Sequence, residues 1–323
     1  MNISLINRSI VSLLLVLRSF SVVGFGISFY TFTMENDDTY KKICTIQVPR
    51  AITLATNVDN IAVGTALGPV KLYDTKGIFK KDIPHCGDGG IVIGGVDNNY
   101  LYQVNRKGKF FNCNLKFPVV ERNSEINKVT HSIATTGSHV FFGSDDAAVH
   151  VWDSLKEKVT HSYTGKRTGQ VTNLEVTNQA IVVGCSDGYL ASIDQEKDTE
   201  IWSFNHDSYP MNRVLLRALT KNGSLCYAGY RDGEIILADP DKMIHDHVGL
   251  VKYIYALAFL KSGYLAVGQE GGIGLYDIRK FRTPLVEFCL DDKYNRVIAL
   301  QATEKGFVSI AQNGTVDIWE EAQ

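Results

Sequence analysis

One motif recurs along most of the chain: a short apolar strand ending at a small residue, a turn, then a second strand closing on an acidic residue or Asn. Seven segments align on it: IAVGTALGPVKLYD (61–74), VIGGVDNNYLYQVN (92–105), VFFGSDDAAVHVWD (140–153), IVVGCSDGYLASID (181–194), CYAGYRDGEIILAD (226–239), LAVGQEGGIGLYD (265–277) and VSIAQNGTVDIWE (308–320). The small position is Gly64, Gly95, Gly143, Gly184, Gly229 and Gly268, with Ile310 departing in the last copy. Successive intervals are 31, 48, 41, 45, 39 and 42 residues. A period of about 40 makes each copy one supersecondary unit whose open faces are buried only by stacking on its neighbours.

Within each copy the local chemistry specifies a hairpin. Asp187-Gly188, Asp232-Gly233 and Asn313-Gly314 supply the positive φ of a tight turn. Around the turn the residues alternate, as in Val149 and Val151 against His150 and Trp152, so each strand has two distinct faces. A further strand precedes most hairpins (Ala51–Thr56, Val129–Thr135, Val171–Thr177, Val214–Thr220, Ile254–Leu260, Val297–Thr303), with only the weak Gly89–Gly90 region before the second copy. Outer strands such as Lys158–Tyr163 and Glu200–Phe204 follow. Four strands per repeat is the resulting expectation.

On these residues the chain resembles the WD-repeat family. The signature dipeptide stands as Trp152-Asp153, with Tyr73-Asp74, Tyr276-Asp277 and Trp319-Glu320 as variants, and the match covers residues 40–323. The usual Gly-His dipeptide and Ser-Pro-Asp-Gly turn are missing, which implies an incomplete Asp-His-Ser-Trp network in most blades. The resemblance implies an all-β, seven-bladed propeller of four-stranded blades. The last copy leaves three residues after Glu320, too few for a fourth strand, while Lys41–Val48 is an orphan strand upstream. In the family such an N-terminal strand completes the last blade and removes an exposed edge.

Residues 1–33 read differently from the propeller region, 34–323. Apolar runs at 10–17 and 20–32 flank Arg18, which is costly inside a membrane, and no clean cleavage site follows. Three readings stay open: a signal segment, a membrane anchor, or an upstream extension before a start at Met34. The six cysteines form no C-x-x-C pair, which points to a reducing compartment and a cytoplasmic chain, nuclear as the variant, secretory or anchored if 1–33 functions.

The charge balance, 33 Lys plus Arg against 35 Asp plus Glu, excludes nucleic-acid binding by bulk charge. The run Gly89–Gly95 lacks phosphate-loop spacing, His245 and His247 fall in an expected loop without a third metal ligand, and His131 and His161 read as structural. No catalytic residue, cofactor or metal site is expected. What remains is a binding surface. The residues before each first strand, Arg50, Lys128, Gln170, Arg213, Tyr253 and Arg296, are cationic at four of six positions, and Tyr230 and Arg231 join them from a turn on the same face. The expected function is a protein-interaction scaffold binding proteins or peptides on this face, acidic or phosphorylated ones by the resemblance to some WD-repeat ubiquitin-ligase receptors. A weaker adaptor-docking segment, Tyr276, Asp277 and Arg279, suggests the alternative of a cullin-ligase substrate receptor. The basic connection 105–140, with Arg106, Lys107, Lys109, Lys116, Arg122 and Lys128, reads as a solvated insertion or as a peripheral loop for RNA or acidic partners, which keeps an RNA-associated subunit as a further alternative.

Overall fold

The computed structural model describes residues 39–322 except 67, 85–90, 97–99, 106–107, 116–119, 126–127, 178, 206–215, 224, 252, 282 and 294. In the strands Ile91–Val96, Val120–Glu125 and Lys242–Leu250 it describes the backbone alone. The chain divides into Met1–Asp37, which lies outside the described residues, and Asp38–Gln323. Among the described residues no helix is long and apolar enough to cross a membrane.

The strands of the second unit form seven antiparallel four-stranded sheets. Their inner strands, Ala51–Thr56, Ile91–Val96, Thr130–Thr136, Val171–Val176, Leu216–Asn222, Ala256–Phe259 and Val297–Ala302, each pack against the next, and the last packs against the first. The result is a β-propeller around a central channel. Apolar clusters fill the spaces between neighbouring sheets; Phe141, Val149 and Val151, for example, meet Val171, Leu174 and Ile181 of the next.

The expectation of a seven-bladed propeller with one blade on each copy of the motif is corrected: six blades are built on it, not seven. Those six copies fall on the second and third strands of a blade. The second copy is out of phase by one strand: Ile91–Val96 is the inner strand of its sheet and Tyr100–Asn105 the second. Its outer strands, Lys109–Asn114 and Val120–Glu125, occupy what reads in sequence as a long basic connection. Lys109 and Arg122 therefore lie on strands, and Arg106, Lys107 and Lys116 lie outside the described residues. His245 and His247 likewise sit on the edge strand Lys242–Leu250 rather than in a loop.

The physical reason for the small residue is the next blade. A Cβ on Gly143 would come within 2.5 Å of Val171 Cγ1 and 2.8 Å of the Val171 carbonyl oxygen. On Gly184 it would meet Leu216 Cδ2 at 2.5 Å, and on Gly268 it would lie 2.9 Å from both Val297 Cγ1 and the Val297 oxygen. Where the second strand carries a larger side chain, the size is exchanged across the gap. Ile310 shares a buried cluster with Ala51, which opens its inner strand where others have Val171, Leu216 or Val297. In the divergent sheet, Val104 takes the glycine position by register, and Thr130 opens the following inner strand.

The acidic residue closing each copy has a local role. Asp74 accepts the N–H groups of Lys76 and Ile78, Asp153 those of Leu155 and Lys156, and Asp194 those of Glu196 and Lys197, each at 2.8–3.1 Å. These side chains cap the turn into the outer strand. Cys185 and Cys226 are fully buried, and burial raises both thiols, Cys185 to about 12, so both act as small apolar core residues.

The seventh sheet has three strands of its own, completed by Tyr40–Gln47, which pairs antiparallel with Thr315–Glu321. Thr45 Oγ1 donates to the buried carboxylate of Asp317 at 2.6 Å, and Lys42 adds an ion pair at 3.7 Å. Replacing Thr45 by Val leaves that carboxylate under-satisfied, so the chain should lose about 1–3 kcal/mol of stability. Gln47→Ala, which removes an exposed bond from the same strand, should cost under about 0.5 kcal/mol. Denaturant unfolding of the two variants checks this; equal midpoints would mean that the strand's buried anchor contributes nothing to closure.

Candidate functional site

Two sets of loops open on one face of the propeller, those leading into the inner strands and those joining second to third strands. Backbone bonds tie them together: Ala66 N–H donates to the Arg50 carbonyl, Asp145 to Val129, Ser186 to Gln170 and Gln312 to Arg296, at 2.8–3.0 Å. Arg50, Val129, Gln170 and Arg296 are therefore equivalent, and Lys128 lies one residue earlier. The sequence count of four cations at one position loses that member. Lys128 turns instead to Asp146, with an ion pair of 3.2 Å. Burial would raise Asp146, yet the bonds from Ser144, Lys128 and Ala148 N–H and the charge of His150 bring its carboxyl down to about 2. This is a closed local cluster.

Arg213 lies outside the described residues. Arg50 is exposed and adopts φ 61°, a left-handed backbone held by the tie to Ala66. Tyr253 is exposed in the loop before its inner strand. Tyr230 needs correction as a contact residue: it is completely buried, its hydroxyl donates to the Gly188 carbonyl at 3.3 Å, and burial raises the phenol. Its neighbour Arg231 is exposed.

A residue that the sequence pattern does not single out completes the set. Five inner strands carry a β-bulge just after their first pair, between Ala51 and Thr53, Thr130 and Ser132, Val171 and Asn173, Leu216 and Ala218, and Val297 and Ala299. Such a bulge leaves one residue outside the ladder and re-aims its side chain. The extra residues are Ile52, His131, Thr172, Arg217 and Ile298, and Tyr255 holds the corresponding place in the sixth blade. Arg217 is the one arginine among them. Burial lowers its guanidinium pKa, and the charges of Arg231 and Arg296 lower it further while Tyr255 opposes them. The Arg296 guanidinium lies over the Tyr255 ring, 5.2 Å from its centroid. Arg296 thus lies over Tyr255 of the sixth blade, and Arg217 of the fifth lies near enough to Arg231, Tyr255 and Arg296 to feel the charge of each. Among the described residues, no carboxylate lies within ion-pair distance of Arg50, Arg217, Arg231 or Arg296.

The Tyr276–Arg279 segment is turned inward on itself. Tyr276 is buried and stacks on Phe281 at 4.7 Å. Asp277 takes both Arg279 Nε and Nη2 at 2.9 Å and lies at a strand end like Asp74 and Asp153. The geometry gives the segment a turn-capping role.

At the other end of the channel the inner strands line a cavity of about 390 Å³. Its wall carries Thr56, Thr135, Thr220, Gln301, Glu175 and Lys221. Thr56 Oγ1 donates to the Ala302 carbonyl at 2.8 Å and Thr220 Oγ1 accepts the Phe259 N–H at 3.2 Å, so hydroxyls stitch adjacent blades. Lys221 Nζ donates to the Val176 carbonyl at 2.7 Å and lies 3.8 Å from the Glu175 carboxylate. Among the described residues, no group of three or more His, Cys, Asp or Glu side chains is placed to hold a metal ion.

No family model matches the chain, and no curated protein matches it either.

Burial pushes the Glu175 carboxyl up to about 7, against the pull of Lys221. The folded chain therefore holds this proton more tightly than the unfolded chain, and stability falls as pH rises from about 4.5 to about 7. Glu175→Gln should remove that fall. Urea midpoints at pH 5 and pH 8 test it: the variant should be relatively more stable than the parent at the higher pH. Parallel profiles would contradict the burial assigned to this carboxylate.

Proposed function

We propose that the chain is a WD-repeat-type propeller working as a non-catalytic scaffold, and that its partner is a protein presenting an acidic segment to the Arg217–Arg231–Arg296 face. The single observation carrying this reading is that Arg217, beside the turn bearing Arg231, and Arg296, over Tyr255, have no carboxylate in ion-pair reach among the described residues, in a chain of net charge −2. Like charges held together raise the free energy of the empty site, and an anion relieves it. The exposed Tyr253, two residues before Tyr255 in the chain, adds an aromatic side chain of a type enriched at interfaces. For the family reading, the support is the acidic turn caps and the bond from Trp319 Nε1 to Ser309 Oγ at 3.1 Å, part of the Ser-Trp half of the family's network.

A fluorescent peptide of about twelve residues rich in Glu and Asp tests the reading by anisotropy. Arg217→Ala with Arg296→Ala should weaken binding at least tenfold, since a desolvated charge pair at an interface is worth about 2–5 kcal/mol. Lys197→Ala, which removes an exposed cation already paired with Asp194, should leave it unchanged. Equal affinity for all three proteins would overturn the reading.

A further inference from the structure

We propose that the cavity at the far end of the channel is a binding site for a free α-amino acid, the Glu175 carboxylate taking its ammonium group and the Lys221 ammonium its carboxylate. The cavity lies at the opposite end of the inner strands from the arginine-bearing face, so this site is independent of the scaffold reading above. Its volume of about 390 Å³ falls within the roughly 300–1,000 Å³ of small-molecule pockets. Thr56, Thr135, Glu175, Lys221, Phe259 and Gln301 bring six different inner strands to its wall, so the site exists only in the closed ring.

The first argument is unmet bonding. Among the described residues of the wall, Glu175 and Lys221 alone carry charge. They stand on neighbouring blades with opposite signs, 3.8 Å apart. That distance leaves both short of partners. A carboxylate can accept about four hydrogen bonds. Among the described residues Lys221 is the one partner of the Glu175 carboxylate. Lys221 has three donors, and one goes to the Val176 carbonyl at 2.7 Å. Both side chains stay within reach of a small molecule, with 22% of the Glu175 surface and 42% of the Lys221 surface accessible. Burial pushes the Glu175 carboxyl up to about 7, as befits an anion with too few donors around it.

The second argument is the sign of the ligand. A simple cation would meet Lys221, and a simple anion would meet Glu175. A neutral molecule would leave both charges under-satisfied. A zwitterion laid antiparallel to the pair answers each with its opposite, in a site where charge-assisted bonds are stronger than neutral ones. In an α-amino acid the two charged groups share one carbon, which suits protein charges 3.8 Å apart. An ω-amino acid holds them much farther from each other.

The remaining wall is neutral and able to hydrogen-bond. The side chains of Thr135 and Gln301 make no hydrogen bond among the described residues. Thr220 Oγ1 accepts from the Phe259 N–H and keeps its own proton to donate. Lys261 and Glu304, just beyond the ends of two inner strands, pair with each other and so do not compete for the ligand. A neutral amide side chain matches such a wall, which makes L-glutamine the natural probe.

Calorimetry on the full-length chain at pH 8, where Glu175 is ionised, tests the proposal. The probes are L-glutamine, glycine, N-acetyl-L-glutamine without the ammonium, L-glutamine amide without the carboxylate, and 6-aminohexanoate with the charges held apart. Glutamine should bind about tenfold or more tighter than each of the last three. Glu175→Gln should remove the preference for glutamine over its N-acetyl form. Lys221→Gln, which keeps a donor for the Val176 carbonyl, should remove the preference over the amide. Melting curves confirm that each variant folds; if one does not, the matching probe on the parent chain decides that half.

Glutamine amide binding as tightly as glutamine would make this a cation site and overturn the proposal. Equal binding of N-acetylglutamine would make it an anion site, with the same result. Equal binding of 6-aminohexanoate would overturn the α-amino acid class. If neither glutamine nor glycine binds at millimolar concentration, the site does not exist. None of these results touches the arginine face, whose own test uses an acidic peptide.

Discussion

The structure depends on how closely the second strand of one blade approaches the inner strand of the next. At Gly143 and Gly268 there is no room for even one carbon, because the Val171 and Val297 carbonyl oxygens lie 2.8 and 2.9 Å from its place. At Gly184 and Gly229 the side chains of Leu216 and of Ile254 with Leu257 would have to shift to admit one. These contacts set the angle at which successive sheets meet and therefore the closure of the ring. Interiors packed to this density tolerate a volume change only when the opposite side gives it back. Ile310 against Ala51 and Val104 before Thr130 exchange bulk in that way.

From this contact the remaining features follow in order. The first residues of the inner strands are fixed by the neighbouring blade, and the ladder slips by one residue just beyond them. That slip leaves Ile52, His131, Thr172, Arg217 and Ile298 outside the pairing. The packing constraint between blades and the position of Arg217 are thus linked through one stretch of backbone, Leu216 to Ala218. At the far end of the same strands, Thr56 and Thr220 tie adjacent blades, and the Glu175–Lys221 pair lines the cavity.

Most of this architecture is legible in the sequence because the constraint repeats: a glycine in all but the last copy, an acidic residue or Asn closing the second strand and, in three copies, Asp-Gly or Asn-Gly between them. Six copies follow from that signal. The second misleads because Val104 stands where the glycine belongs, so the pattern latches onto Gly95, on the inner strand, and the phase slips. Closure by Tyr40–Gln47 is legible from the missing fourth strand of the last repeat. The site is less legible. Arg231 and Arg296 are marked by their place beside turns and strand starts, but Arg217 depends on a bulge, which has no composition of its own. Lys128 reads as equivalent to Arg296 only if its strand starts one residue early, and Tyr230 reads as exposed because a strand end and a turn look alike in sequence.

The most direct measurement compares the unfolding free energy of Gly143→Ala with that of Gly165→Ala. At Gly143 a methyl group meets Ser132 Oγ, Val171 Cγ1 and the Val171 carbonyl, and the backbone oxygen cannot swing aside. At Gly165 the nearest atom is Arg167 Cζ at 3.4 Å, an ordinary contact. Overpacking of the first kind costs about 1–3 kcal/mol. Gly143→Ala should lose about that much and unfold at lower denaturant, while Gly165→Ala should stay within about 0.5 kcal/mol of the parent. Equal stability of the two variants would contradict the close approach between blades as the constraint that holds the ring.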